Sequence, residues 1–154
     1  MRSMIVFAMV ALAGACAPNT SGQEGGLPPG FRQGSLPAPT PAGVAVQITA
    51  ADAGKTIAVP VGASFAVQLV GVPTAGYIWA VAQKPSFLSD PREYGGNTTA
   101  AQSQPGFTGG NHWEVFAFDA RSPGEGKLKL EQRRPWEPTT EPASNTFSVT
   151  IKAQ

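Results

Sequence analysis

The sequence predicts an all-β domain, built as an antiparallel β-sandwich with one solvated face per sheet. Three observations carry that prediction. Apolar and polar residues alternate at period two in a series of short runs. Glycine and proline, 18 and 15 of the 154 residues, punctuate those runs. No window of helical periodicity is longer than about two turns, well short of an ordinary helix.

Taken in order, Val44-Ala45-Val46-Gln47-Ile48-Thr49 places Val44, Val46 and Ile48 on one face. Thr56–Val59 and Ser64–Val70 follow as strands, parted by Pro60 and Gly62. Tyr77–Gln83 is another, with Trp79 as the expected buried tryptophan of a sandwich. His112–Ala120 sets Phe116, Phe118 and Ala120 on one side and leaves Glu114 to the other. After the turn Ser122–Gly126, Lys127–Arg133 alternates charge with leucine, and Asn145–Lys152 closes the chain with the cleanest alternation. Phe116, Phe118, Leu128, Leu130, Phe147, Val149 and Ile151 are the expected core. Two long connections, 84–111 and 134–144, interrupt the strands, and long loops in a compact β domain are usually functional or disordered. Each holds or meets an aromatic residue beside Gly or Pro, which favours function.

The N-terminus reads as a processing signal. Arg2 begins a short positive region, Ile5–Ala13 is apolar, and the small residues Ala13-Gly14-Ala15 precede Cys16. That apolar stretch is too short to span a bilayer, which takes about 20 residues. It resembles the lipobox of bacterial lipoproteins, in which the cysteine is lipidated, although Leu12 stands four places before Cys16 instead of three. Export is expected in either case: to the periplasm or an outer-membrane lipid anchor in a bacterium, otherwise by secretion. From Ala17 to Gly43 close to half the residues are Pro or Gly and the sole aromatic is Phe31. Such a segment builds no core, so a disordered or polyproline-like spacer is expected there. The organisation is therefore 1–16 signal, 17–43 spacer and 44–154 domain.

Composition then excludes several kinds of chemistry. A net charge of +1 with 14% charged residues gives no basic face for nucleic acid. Cys16 is the only cysteine, so the domain has no disulfide, thiolate cluster or cysteine nucleophile. His112 is the only histidine and lacks a G-x-S-x-G context or a set of metal ligands. No phosphate loop is present. Glu114 and Glu131, alternating with apolar residues, read as solvated outer-face charges instead of a catalytic pair. No metal, cofactor or catalytic residue is expected, and the business of the chain is contact.

Three loops carry the residues suited to contact. The first reads Val72-Pro73-Thr74-Ala75-Gly76-Tyr77 and runs on to Trp79; the second ends in Gly106-Phe107-Thr108-Gly109-Gly110; the third is Arg134-Pro135-Trp136-Glu137. Their order and spacing resemble the chagasin family of inhibitors of papain-like cysteine peptidases, whose loops read approximately N-P-T-T-G-Y/F-x-W, G-x-G-G and R-P-W. The resemblance spans 44–154. It implies an immunoglobulin-like sandwich that occludes a peptidase cleft with three loops at one end; a monomer is expected. By matching position, Val72, Pro73, Thr74, Ala75, Gly76 and Tyr77 form the wedge, Gly106, Gly109 and Gly110 the second loop, and Arg134, Pro135 and Trp136 the third. The chain departs from the pattern at Val72, where the family's asparagine would brace the loop, and at Ala75, where a second threonine would offer a polar contact. Its glycines are also one residue more widely spaced than G-x-G-G. Physically, Pro73 fixes φ and Gly76 permits positive φ, so the wedge is shaped before binding. Trp136 and Arg134 are residue types that commonly dominate binding energy. Two other readings fit an immunoglobulin-like domain: an adhesion or scaffold module, and a carbohydrate-binding module with Trp113 and Trp136 as stacking platforms.

Overall fold

A computed structural model describes residues 35–154, so the signal segment, Cys16 and the spacer as far as residue 34 lie outside the described residues. Eight strands form two four-stranded sheets: β1 (Val44–Thr49), β2 (Thr56–Val59), β3 (Ser64–Gly71), β4 (Ile78–Gln83), β5 (Arg92–Asn97), β6 (His112–Asp119), β7 (Gly124–Arg133) and β8 (Asn145–Ala153). One sheet has the order β1-β3-β6-β5 and the other β2-β8-β7-β4. Most neighbours are antiparallel, but β1 lies parallel to β3 and β2 parallel to β8. The sheets are therefore mixed at one edge each, because alternation specifies the inward face of a strand and not the direction of its neighbour.

The inner faces meet in one core. Phe65, Val67 and Leu69 of β3 and Phe116 and Phe118 of β6 pack on Leu128 and Leu130 of β7 and Phe147, Val149 and Ile151 of β8. All the expected core residues are buried. Phe65 and Phe118, directly paired in register, stack with ring centroids 5.3 Å apart. Trp79 is only partly buried; it sits at the rim of the core because β4 is an edge strand.

Two expectations are corrected here. The connection 84–111 contains a strand, β5, paired on one side with β6. Arg92-Glu93-Tyr94-Gly95-Gly96-Asn97 shows no alternation, since an edge strand with its side chains largely exposed needs none. Glu114 shares the inner face of β6 with Phe116 and Phe118 and does not belong to the outer one.

Residues 35–43, assigned to the spacer by composition, lie against the domain. Leu36 N–H donates to the Thr98 carbonyl at 2.8 Å, and Trp113 Nε1–H donates to the Leu36 carbonyl at 2.9 Å. Gln68 Nε2 donates to Thr40 Oγ1 at 2.6 Å. Ala38 of this segment and Val44 at the start of β1 cover Ala66, Val115 and Ala117 on the outer face of β3 and β6. A register shift between Val44 and Val46 turns Val44 to this face, away from Val46 and Ile48, with which the alternation groups it. The segment is a strap over one sheet, and it explains why β3 and β6 carry apolar residues on both faces. Gly96 admits it closely, for a Cβ there would lie 3.1 Å from Pro39 Cγ.

Candidate functional site

The three loops occupy one end of the sandwich. Gly71, which leads into the wedge, pairs with His112, which follows the second loop. Ile78, which leaves the wedge, pairs with Arg133, which precedes the third.

The wedge is a tight, self-closed turn. Pro73–Ala75 form one 3-10 turn with the proline at its start, and Gly76 ends it with φ 81° and ψ 0°. A side chain at Gly76 would be strained on backbone grounds alone. Val72 N–H donates to the Tyr77 carbonyl at 3.0 Å and Tyr77 N–H to the Val72 carbonyl at 3.2 Å, so backbone bonds seal the loop where no asparagine is present. Pro73, Thr74 and Ala75 are exposed at its tip.

The third loop is clasped to the wedge. Arg134 Nε–H donates to the Ala75 carbonyl at 3.1 Å, and the guanidinium carbon stands 4.4 Å from the centre of the Tyr77 ring. Arg134 also pairs with Glu137 at 3.3 Å. Trp136 is 71% exposed, yet the inner edge of its indole lies on Gly76, where a Cβ would come 2.2 Å from Cη2. Glycine at 76 therefore serves two ends, the left-handed turn and the seat of the tryptophan. Pro135 is exposed between them.

The second loop has its own clasp. A 3-10 turn at Ala100–Ser103 precedes it. Gln102 Oε1 accepts the Thr98 and Thr99 N–H groups at 2.7 and 2.9 Å, while its Nε2 donates to the Asn111 carbonyl at 2.7 Å. Gln102 thus ties the two feet of the loop together. Sequence reasoning passed over it, although Thr99-Ala100-Ala101-Gln102 has the T-x-x-Q form of a capping box. Gly106, Gly109 and Gly110 all have positive φ, and Phe107 is partly exposed among them. The structure thus joins Arg134 and Trp136 directly to the wedge. It brings the glycine loop to the same end through strand register.

Glu114, below the wedge, has its pKa raised by burial, while the Trp79 amide that it accepts opposes the shift. Trp113 faces the strap and gives its indole N–H to Leu36, so it does not form an open platform with Trp136.

The comparisons with known proteins point one way. The family model of the chagasin family peptidase inhibitors I42 matches residues 58–151. Amoebiasin-1 of Entamoeba histolytica is 33% identical over 97 residues, which are 63% of this chain and 90% of that protein. The fold is similar to that of the cysteine protease inhibitor EhICP2 from Entamoeba histolytica, with a TM-score of 0.59 and 18% identity over 71% of this chain and 96% of the other. The solution structure of amebosin gives a TM-score of 0.57 and 29% identity, over 71% of this chain and 97% of the other. The family match takes in β3 to β7 whole, parts of β2 and β8, and all three loops, and on that ground the chain belongs to the chagasin family of peptidase inhibitors.

Proposed function

We propose that this inhibitor acts on papain-like cysteine peptidases by seating the wedge Val72–Tyr77 in the active-site cleft, with the second and third loops against its walls. The observation that carries this reading is the joined surface of wedge and third loop. Pro73, Thr74 and Ala75 project from a turn closed by its own backbone, and Arg134 and Trp136 are locked onto that turn. A surface already ordered loses little entropy on docking. The block is steric and reversible, since no step needs a nucleophile from the inhibitor. Thr74 offers its hydroxyl in the narrow part of the cleft, and exposed Trp136 supplies the apolar anchor.

The protein works as an exported monomer, held to a membrane through Cys16 where that residue is lipidated. The support is the sequence alone: a positive start, an apolar run and small residues before Cys16.

Titration of papain with the protein tests the reading. Inhibition at or below about micromolar concentration is expected, and its absence there would overturn the proposal. Trp136→Ala should weaken inhibition roughly thirtyfold, the effect of losing a hot spot of about 2 kcal/mol. Thr74→Ala should weaken it less. Both side chains are solvent-facing, so the melting temperature of each variant should stay within about 2 °C of the parent.

A further inference from the structure

Glu114 is a carboxylate in a place that packing alone would give to an apolar side chain. It lies on the inner face of β6, paired in register with Leu69 of β3 and Gly95 of β5. Its Oε2 accepts the Trp79 backbone N–H at 2.7 Å, reaching from one sheet to the first residues of the other. Its Oε1 is enclosed and has no hydrogen-bond partner. Gly71 makes the room, because a Cβ there would lie 1.7 Å from Oε1. Gly71 and Trp79 stand on the two stems of the wedge, so the carboxyl group sits directly beneath Val72–Tyr77.

The topology shows why a brace matters here. β3 and β4 belong to different sheets, so no ladder joins the two stems. The corner is closed by the bridge between Val72 and Tyr77 and by the Trp79 indole N–H on the Val70 carbonyl at 3.0 Å. The Trp79 amide would lack a partner without Glu114, and an orphaned backbone donor is unfavourable and rare.

We infer that Glu114 is a positioning residue for peptidase binding, which holds the stems of the wedge at a set separation through the Trp79 amide. This rests on the three-loop reading above. The arrangement does not favour the fold for its own sake. Burial raises the Glu114 pKa and Glu93 on β5 adds to that, while the Trp79 amide and His112 on β6 act against it. Leu69 and Gly71 on β3 and Trp79 on β4 bring no charge to the site. For a carboxyl group raised above its value of 4.5, the folded state prefers the proton. The stability it contributes is full below that value and is lost as pH rises through the folded one. The ionised form, present above it, is the stronger acceptor for the Trp79 N–H. Rising pH therefore firms the loop while it slightly weakens the fold.

The test compares the wild-type chain with Glu114→Gln, Glu114→Ala and Trp136→Ala. Each is bound to papain whose catalytic cysteine has been replaced by alanine, from about pH 4.5 to about pH 7.5. Ratios to wild type cancel the titration of the peptidase itself. Glu114→Ala should bind about tenfold more weakly at the upper end, as loss of a charge-assisted hydrogen bond implies. Glu114→Gln keeps an acceptor and should match wild type in acid. It should then fall behind by about three- to fivefold as pH rises, with a melting temperature at neutral pH no lower than wild type. Wild-type binding by both Glu114 variants, beside weak binding by Trp136→Ala, would overturn the assignment and leave the three-loop reading standing. Wild-type binding by Trp136→Ala as well would remove the reading itself. Should Glu114→Ala fail to fold, the pH profile of Glu114→Gln decides alone.

Discussion

Gly76 is the residue on which the proposed binding edge turns, because two independent constraints meet at one missing Cβ. Its φ of 81° is strained for any other residue, and the indole of Trp136 fills the space a side chain would take. Gly76→Ala should cost about 1–2 kcal/mol in stability from the backbone alone. It should also displace Trp136 and weaken inhibition at least about tenfold, a larger effect than the stability loss explains. Titration and thermal melting on the same sample separate the two. Asp119, far from the loops, behaves in the opposite sense to Glu114. Bonds from Arg92 at 2.7 and 2.9 Å and from Ser64 at 2.5 Å hold its carboxyl well below the usual carboxylate range. A depressed pKa gives stability that is present above the unfolded value of 3.8 and is lost as pH falls through the folded one. Arg92 is 48% exposed, which screens the pair. Asp119→Asn should therefore cost only about 0.5–1 kcal/mol at neutral pH, and the difference from wild type should shrink in strong acid.

At the scale of elements, the strap 35–43 contributes to stability as a strand does. Through Ala38 it shares with Val44 of β1 the cover of Ala66, Val115 and Ala117, and it supplies the partner for Trp113 Nε1. Removing residues 1–41 should lower stability by about 1–3 kcal/mol, or a melting temperature by roughly 5–15 °C. Inhibition by the folded fraction should weaken only slightly, because the wedge and third loop make none of the strap's hydrogen bonds and the strap touches only the feet of the second loop, which Gln102 also ties. A melting temperature unchanged by the deletion would show that the strap covers nothing of consequence. The strap also shows where the sequence was legible and where it was not. Strands with one solvated face, such as β7 and β8, declare themselves through alternation. β5 does not, since an exposed edge strand with Gly95 and Gly96 carries no apolar face to count. The strap is rich in proline, which composition equates with a spacer. Its docking was foreshadowed only by the apolar residues on both faces of Ser64–Gly71 and His112–Asp119. In the site, the wedge and Arg134-Pro135-Trp136 were readable as motifs. Gln102 was signalled by its T-x-x-Q form and the face of Glu114 by its period-two spacing from Phe116 and Phe118, but their roles were not readable, for those depend on which backbone amides the fold leaves within reach.

For the whole molecule, the place where the chain enters the domain bears on how an anchored inhibitor could work. Ser35 bridges to Thr99, and Thr98 is tied to Gln102 and Asn111 at the feet of the second loop. The chain thus joins the domain at the end that carries the three loops. If Cys16 is lipidated, residues 17–34 are all that separates the anchor from that end. Eighteen residues reach at most about 60 Å. A peptidase domain of about 200 residues is roughly 40 Å across. An enzyme captured by a lipidated form would then have to fit into a gap comparable to its own size, and such membrane-bound inhibitor should capture it more slowly than free inhibitor. Association with papain should be several-fold slower for the lipidated protein on vesicles than for Cys16→Ser in solution. Dissociation should be equal, since the contact surface is the same. Doubling the spacer with a Gly/Ser insert ahead of Ser35 should restore the free rate. Equal association rates for the original spacer and the free protein would mean that the tether leaves the binding edge clear of the membrane.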